Sequence, residues 1–158
     1  INKFKNFDSN SVAVHIRMGD FQKTDSETVL RDGHWNYRLP IEWYKSMISK
    51  VRNESNIPVY IFSDASDEDL RDVLQLENCS RAYFGSAIAD MLALSRSKLL
   101  ISSASTFSMW ASFLGQNTTI WFPGQMRQEL IKDDAIFEGE VDYDDRLPEP
   151  IIRILHYD

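Results

Sequence analysis

The chain has one cysteine, Cys79, in 158 residues. A single thiol excludes an internal disulfide framework and a Cys-rich zinc site, so Cys79 reads as a buried or half-buried small apolar residue. Glycine is scarce, with six residues, and the glycine-built devices are missing: there is no Gly-x-Gly-x-x-Gly, no Walker A loop and no Gly-x-Ser-x-Gly elbow. His-Glu-x-x-His is missing too, and no carboxylate cluster for a divalent ion is evident. Positive charge is in deficit, with 17 basic against 24 acidic residues and a net charge of −7. Such a chain has no broad attraction for nucleic acid or an anionic membrane, so any phosphate must be held by local geometry. No apolar run approaches the roughly 18 residues that span a bilayer, and no signal-peptide pattern is visible. The length is that of one domain able to bury a proper core. Beginning at Ile1 without a methionine, it reads as a piece of something longer.

What is present is an alternation. Short apolar runs at 12–17, 58–63, 81–84, 98–102 and 118–122 lack in-out periodicity, as strands covered on both faces do. Amphipathic helical patterns lie between and after them, at 41–53, 67–77, 87–96, 106–115 and 125–132. Asp67, followed by Glu68 and Asp69, is a fitting helix start. The expected fold is α/β, with a doubly wound, mostly parallel sheet. Residues 21–40 interrupt the pattern as a long polar and aromatic loop, of a length usually tied to function or mobility. From Asp133 to Glu149 there are eight acids and one base, Arg146, so 133–158 reads as an acidic tail, either solvated or packed across the surface. No repeat or low-complexity tract appears.

Two segments carry chemistry. Val12-Ala-Val-His15-Ile-Arg17-Met18-Gly19-Asp20 is a buried strand that delivers His15, Arg17 and Asp20 to a sheet edge, where ligands of open α/β sheets bind. A guanidinium there suits paired phosphate oxygens, and a salt bridge to Asp20 is the structural alternative. His15 shares a strand face with Arg17. It contacts a ligand or orients a neighbouring loop. Asp20 could act as a base, orient Arg17 or cap the following turn. The second segment is Ile101-Ser-Ser-Ala-Ser105-Thr106-Phe107-Ser108-Met-Trp110, a strand that opens a helix through a hydroxyl-rich turn. Five hydroxyls between Ser102 and Ser108 exceed what one N-cap needs, and open N–H groups at a helix start can surround a diphosphate. Trp110 and Phe113 are most simply core residues. His34, Trp35, Tyr37 and Arg38 decorate the 21–40 loop and either face a sugar or pack the loop down.

His15-Ile-Arg17-Met18-Gly19-Asp20 resembles the H-x-R-R-x-D motif of the α1,2-, α1,6- and protein O-fucosyltransferases. It is most similar to the α1,2 group, with Phe21 in place after Asp20. Ile61-Phe-Ser-Asp64, and Asp90-x-Leu92 followed by Ser105-x-Phe107-Ser108-x-Trp110, resemble that group's second and third motifs in order and spacing. Together they span about residues 12–122. One departure is clear: Met18 stands where the family has its second arginine, which bears on donor affinity or sugar choice.

The resemblance implies the Rossmann-like donor half of a GT-B glycosyltransferase, with an acceptor-binding domain of the same protein upstream. Its partners would be GDP-fucose, as donor substrate, and a glycan acceptor, with inversion at the transferred sugar. No cofactor, metal, nucleic acid or membrane contact is expected. Arg17, His15 and Asp20 would be catalytic. Arg17, Asp64, Asp67, Asp90, Ser105, Thr106, Phe107 and Ser108 would hold the donor, with Asp64 or Asp67 accepting from the guanine edge. Asp90 would contact nucleotide or brace the Arg17 strand. Asp20, Asp25 and Glu27 are the nearest candidates for the base, the alternative being a base outside this chain. Two alternatives stand beside this reading: a nucleotide-sugar-binding module without catalysis, and a transferase for another GDP-sugar.

Overall fold

A computed structural model describes residues 7–157. Six strands form one all-parallel sheet: β1 (Val12–Ile16), β2 (Val59–Ser63), β3 (Cys79–Arg81), β4 (Leu99–Ile101), β5 (Thr118–Trp121) and β6 (Glu138–Glu140). Their order across the sheet is β3-β2-β1-β4-β5-β6. Every pairing is parallel, with Val12 opposite Val59 on one side and Leu99 on the other. The order reverses at β1. This is the doubly wound arrangement, whose ligand crevice opens beyond the strand ends at the reversal.

Six helices cover the two faces: α1 (Glu27–Arg31), α2 (Ile41–Glu54), α3 (Arg71–Leu74), α4 (Ala87–Arg96), α5 (Thr106–Gly115) and α6 (Glu149–His156). The period-two alternation of β1 divides the core. Val12, Val14 and Ile16 pack with α2, α3 and α6, while Ala13 packs with Leu94 of α4 and Ala111 of α5. α2 owes its helix to apolar residues on one stripe, since Trp43, Tyr44, Met47, Ile48 and Val51 are all buried.

Five stretches differ from the sequence expectation, the first being 21–40, read as a loop, which carries α1 and buries Leu30 in the core. Residues 125–132 are not helical. Gly124 turns the chain at φ +86°, and the Leu130 and Ile131 N–H groups donate to Glu138 Oε2 at 2.8 and 2.9 Å rather than to a helical carbonyl. The expected helix 67–77 shrinks to Arg71–Leu74 behind a turn, and β3 forms at 79–81, before the expected 81–84. The acidic stretch 133–158 supplies β6 and α6. Val141, Leu147, Ile151 and Leu155 are buried, and the Trp43 indole donates to the Val141 carbonyl at 2.9 Å. Four apolar side chains at core-facing positions outweigh the charge pattern that suggested a tail.

Candidate donor-binding site

The site grows from the carboxyl end of β1. His15 follows Ala13 on the α5 face and is 6% exposed. Its Nδ1 lies 2.8 Å from Ser108 Oγ and 2.8 Å from Ser103 Oγ, and the Phe107 ring stands 4.9 Å from the imidazole. Burial lowers its pKa to about 4; Asp64 opposes that shift and Arg17 reinforces it. At neutral pH it is an uncharged imidazole set among hydroxyls.

Arg17, just past the strand, is held on two sides. Nη1 pairs with Asp64 Oδ2 at 2.7 Å, and Nη2 donates to Asp20 Oδ1 at 2.8 Å. Phe21 lies 5.6 Å below the guanidinium. Asp64, at the end of β2, also accepts the Met18 N–H at 2.8 Å. Burial works against ionisation of Asp64, yet the N–H groups of Met18 and Gly19 and the Arg17 charge hold its pKa below the usual carboxylate value. Both oxygens of Asp64 are thus engaged by the protein.

Gly19 is required by this packing. A Cβ there would stand against the Asp64 carboxylate. Gly19→Ala is therefore expected to displace Asp64, release Arg17 and cost about 1–3 kcal/mol of stability, as other overpacking substitutions do. Urea denaturation measures this, and an unchanged midpoint would contradict the packing.

The opposite wall is the start of α5. Ser105 is its N-cap and accepts the Ser108 N–H at 3.4 Å. Ser103 Oγ links to Ser105 Oγ at 2.8 Å and Ser108 Oγ at 3.1 Å. Ser103, Ser105 and Ser108 thus form one network anchored on His15, whereas the Ser102 hydroxyl donates to the Ile120 carbonyl. The turn leaves the first-turn N–H groups of Thr106 and Phe107 without helical acceptors, at the positive end of the helix dipole.

Between these walls lies a cleft of about 690 Å³, within the usual range for small-molecule sites. His15, Arg17, Asp20, Asp64, Asp90, Ser105, Thr106 and Phe107 are among its lining residues. Asp90, on α4, accepts the Phe84 N–H at 2.8 Å. Burial raises its pKa, and that N–H partly offsets the rise. Ser108 is fully buried behind the wall, a support rather than a lining residue.

Other candidates lie elsewhere. Asp67 pairs with Arg81 at 2.5 Å. Glu27 accepts the Tyr143 hydroxyl at 2.8 Å and pairs with Arg31. Asp25 and His34 are outside the cleft lining. Trp35 does line the cleft, whereas Arg38 pins the 21–40 loop by donating to the Phe21 carbonyl at 3.0 Å. The Met18 side chain packs against the core. Two Asp-x-Asp triplets, at 67–69 and 142–144, have their first aspartates paired with Arg81 and Arg31. Among the described residues no three acids, histidines or cysteines come together as a metal site.

The expectation that Trp110 and Phe113 are core residues is corrected, since they are 55% and 43% exposed. The core on their side of the sheet is closed by Ala111, Leu94 and Phe62 instead. Tyr83 and Asn36 line the cleft without having been expected there. Tyr83 follows β3 at the carboxyl edge, so a correctly placed β3 would have pointed to it. Asn36 carries a φ of +64°, for which the sequence offers only the general tolerance of asparagine.

An all-parallel, doubly wound sheet with a cleft at its order reversal defines a Rossmann-like α/β domain of the kind that forms the donor half of GT-B glycosyltransferases. The profile of glycosyl transferase family 11 matches residues 2–143, and the chain belongs to that family, the α1,2-fucosyltransferase family. It is a glycosyltransferase domain. Neither the curated proteins nor the solved structures yielded a match. No helix among the described residues is long and apolar enough to cross a membrane.

Proposed function

We propose that the cleft binds GDP-fucose and that the domain takes part in transferring fucose, with inversion, to a hydroxyl of a glycan. The observation that carries this reading is the pairing of Arg17 with the open start of α5 across one cleft at the β1 reversal. A guanidinium and a helix N-terminus are complementary to a diphosphate. Asp20 is the partner that Arg17 can exchange for a β-phosphate oxygen: its side chain is 77% exposed, against 26% for Asp64. Asp64 then keeps the guanidinium aimed while the phosphate takes the vacated Nη2. As the bond from fucose C1 to the β-phosphate oxygen breaks, its electron pair stays on GDP, and Arg17 and the Thr106 and Phe107 N–H groups stabilise that charge. The acceptor oxygen attacks C1 from the opposite face and loses its proton. Of the three acids considered as base, Asp20 alone lines the cleft.

Asp90 takes the guanine edge in this reading. One of its oxygens is held by the Phe84 N–H, and the residue lines the cleft. An acceptor of this kind meets the paired N1–H and N2–H₂ donors of guanine. Asp64 and Asp67 are occupied by Arg17 and Arg81.

No metal is needed where cationic and N–H groups already face the phosphates. Calorimetric titration with GDP, in excess EDTA and then in Mg²⁺ or Mn²⁺, tests this. Equal affinity in both media is expected. An affinity that collapses on chelation and returns with the ion would overturn the proposed phosphate site.

A further inference from the structure

Beside the donor cleft runs a second concavity, of about 310 Å³, along the outer side of α5. Thr106 lines both spaces. One wall of the groove is Trp110 and Phe113, edge to face with ring centroids 5.8 Å apart. Gln128 and Leu130 form the other. The Leu130 backbone is held on both sides: Glu138 Oε2 accepts its N–H at 2.8 Å, and the Gln116 amide donates to its carbonyl at 3.0 Å.

We propose that this groove is an acceptor subsite that seats a pyranose ring of the glycan against Trp110. The inference rests on the glycan-transferring function proposed above. A pyranose has a C–H face that packs on an aromatic ring and a rim of hydroxyls that needs polar partners. The groove offers both, with Trp110 and Phe113 as platform and the Gln128 amide and Thr106 hydroxyl as partners. Aromatic rings lose little conformational freedom on binding and keep a large contact area, which suits weak, ordered sugar contacts. Continuity through Thr106 sets a ring seated here next to the α5 start that lines the donor cleft. A wholly apolar protein contact would not use Gln128 or Thr106.

Saturation-transfer NMR on the 158-residue chain tests the proposal, with lactose, cellobiose and methyl α-mannoside as probes and glycerol as the acyclic control. Transfer to ring C–H protons is expected for at least one pyranoside and not for glycerol. Because Trp110 is more than half exposed, tryptophan emission should shift on saturation with the same sugar. Trp110→Ala should weaken binding at least about fivefold and Trp110→Phe less, as expected when a stacking ring is removed or reduced. Melting temperature and GDP affinity should hold in both variants, since Trp110 lies outside the core and outside the donor cleft. Phe113→Ala gives a second, independent loss of the platform.

The proposal fails if no pyranoside shows transfer at high millimolar concentration, or if Trp110→Ala binds as the wild type does. It also fails if sedimentation shows wild-type self-association that Trp110→Ala abolishes, because a second copy would then cover the groove. A wild type that binds sugars but not GDP would remove the donor site and leave this subsite. One that binds GDP but no sugar would do the reverse.

Discussion

Arg17→Ala is expected to weaken GDP roughly 10- to 100-fold, in line with the loss of a charged hydrogen-bond partner. GMP, which lacks the β-phosphate, should change by less than about threefold, since in the proposed pose it does not reach the guanidinium. The GDP loss has two parts. One is the missing donor. The other is what remains, because Asp20 and Asp64 would then face the phosphate uncompensated. Arg17→Lys keeps the charge but cannot span Asp64 and a phosphate oxygen with two prongs, so it should fall between wild type and Arg17→Ala. Calorimetric titration of both nucleotides with the three proteins, alongside their melting temperatures without ligand, separates the readings. Equal weakening of GDP and GMP with a lowered apo melting temperature would make Arg17 a structural residue.

The second large effect is on stability against pH. An unfolded His15 takes a proton near 6.5, whereas the folded one waits until about 4. Between those values the unfolded chain binds more protons, so stability falls as pH falls through this window. Burial is the main cause. Asp64 opposes it and Arg17 adds to it, and the hydroxyls of Ser103 and Ser108 are the groups in direct contact. By pH 4.5 the loss should reach about 2–3 kcal/mol relative to pH 7, because each pH unit crossed inside the window costs about 1.4 kcal/mol. His15→Asn keeps a polar atom near the serines but cannot titrate. Its stability should decline less over the same range, by that amount. Urea denaturation of both proteins at pH 7 and 4.5 measures the difference. Parallel declines would mean that His15 takes its proton at the same pH in the fold as in the unfolded chain.

The parts of the fold that were legible in the sequence are those where one interaction dominates. β1, β2, β4 and β5 are continuous apolar runs buried on both faces, and such runs have few other structures open to them. α2, α4 and α5 were placed within a residue of their observed bounds, since each fits the helical period and two of them start at a capping serine. What was not legible depended on distant partners. Glu138 holds the 130–131 backbone out of a helix from across the sheet edge. β6 is three residues, Glu-Gly-Glu, with no apolar signature of its own; it exists because β5 is there to pair with it.

The candidate site divides in the same way. Arg17, His15 and the 105–108 turn were visible because strand end and helix start are local features. Whether Asp64 is free or engaged was not, because that turns on the approach of Gly19 and Arg17 from another strand. Trp110 was misplaced for a related reason. Helical period alone does not say which stripe of α5 meets the sheet, and the small residues Ser108, Ala111 and Ser112 do so instead.

The central claim is that the cleft at the β1 reversal holds a guanosine diphosphate. The most direct test is calorimetric affinity for GDP, ADP and UDP on the same protein. GDP is predicted to bind at least about tenfold more tightly than either, as the loss of a charged pairing partner implies, and Asp90→Ala should erase most of that preference while leaving ADP unchanged. Equal affinity for GDP and ADP, with Asp90→Ala weakening neither, would contradict the account.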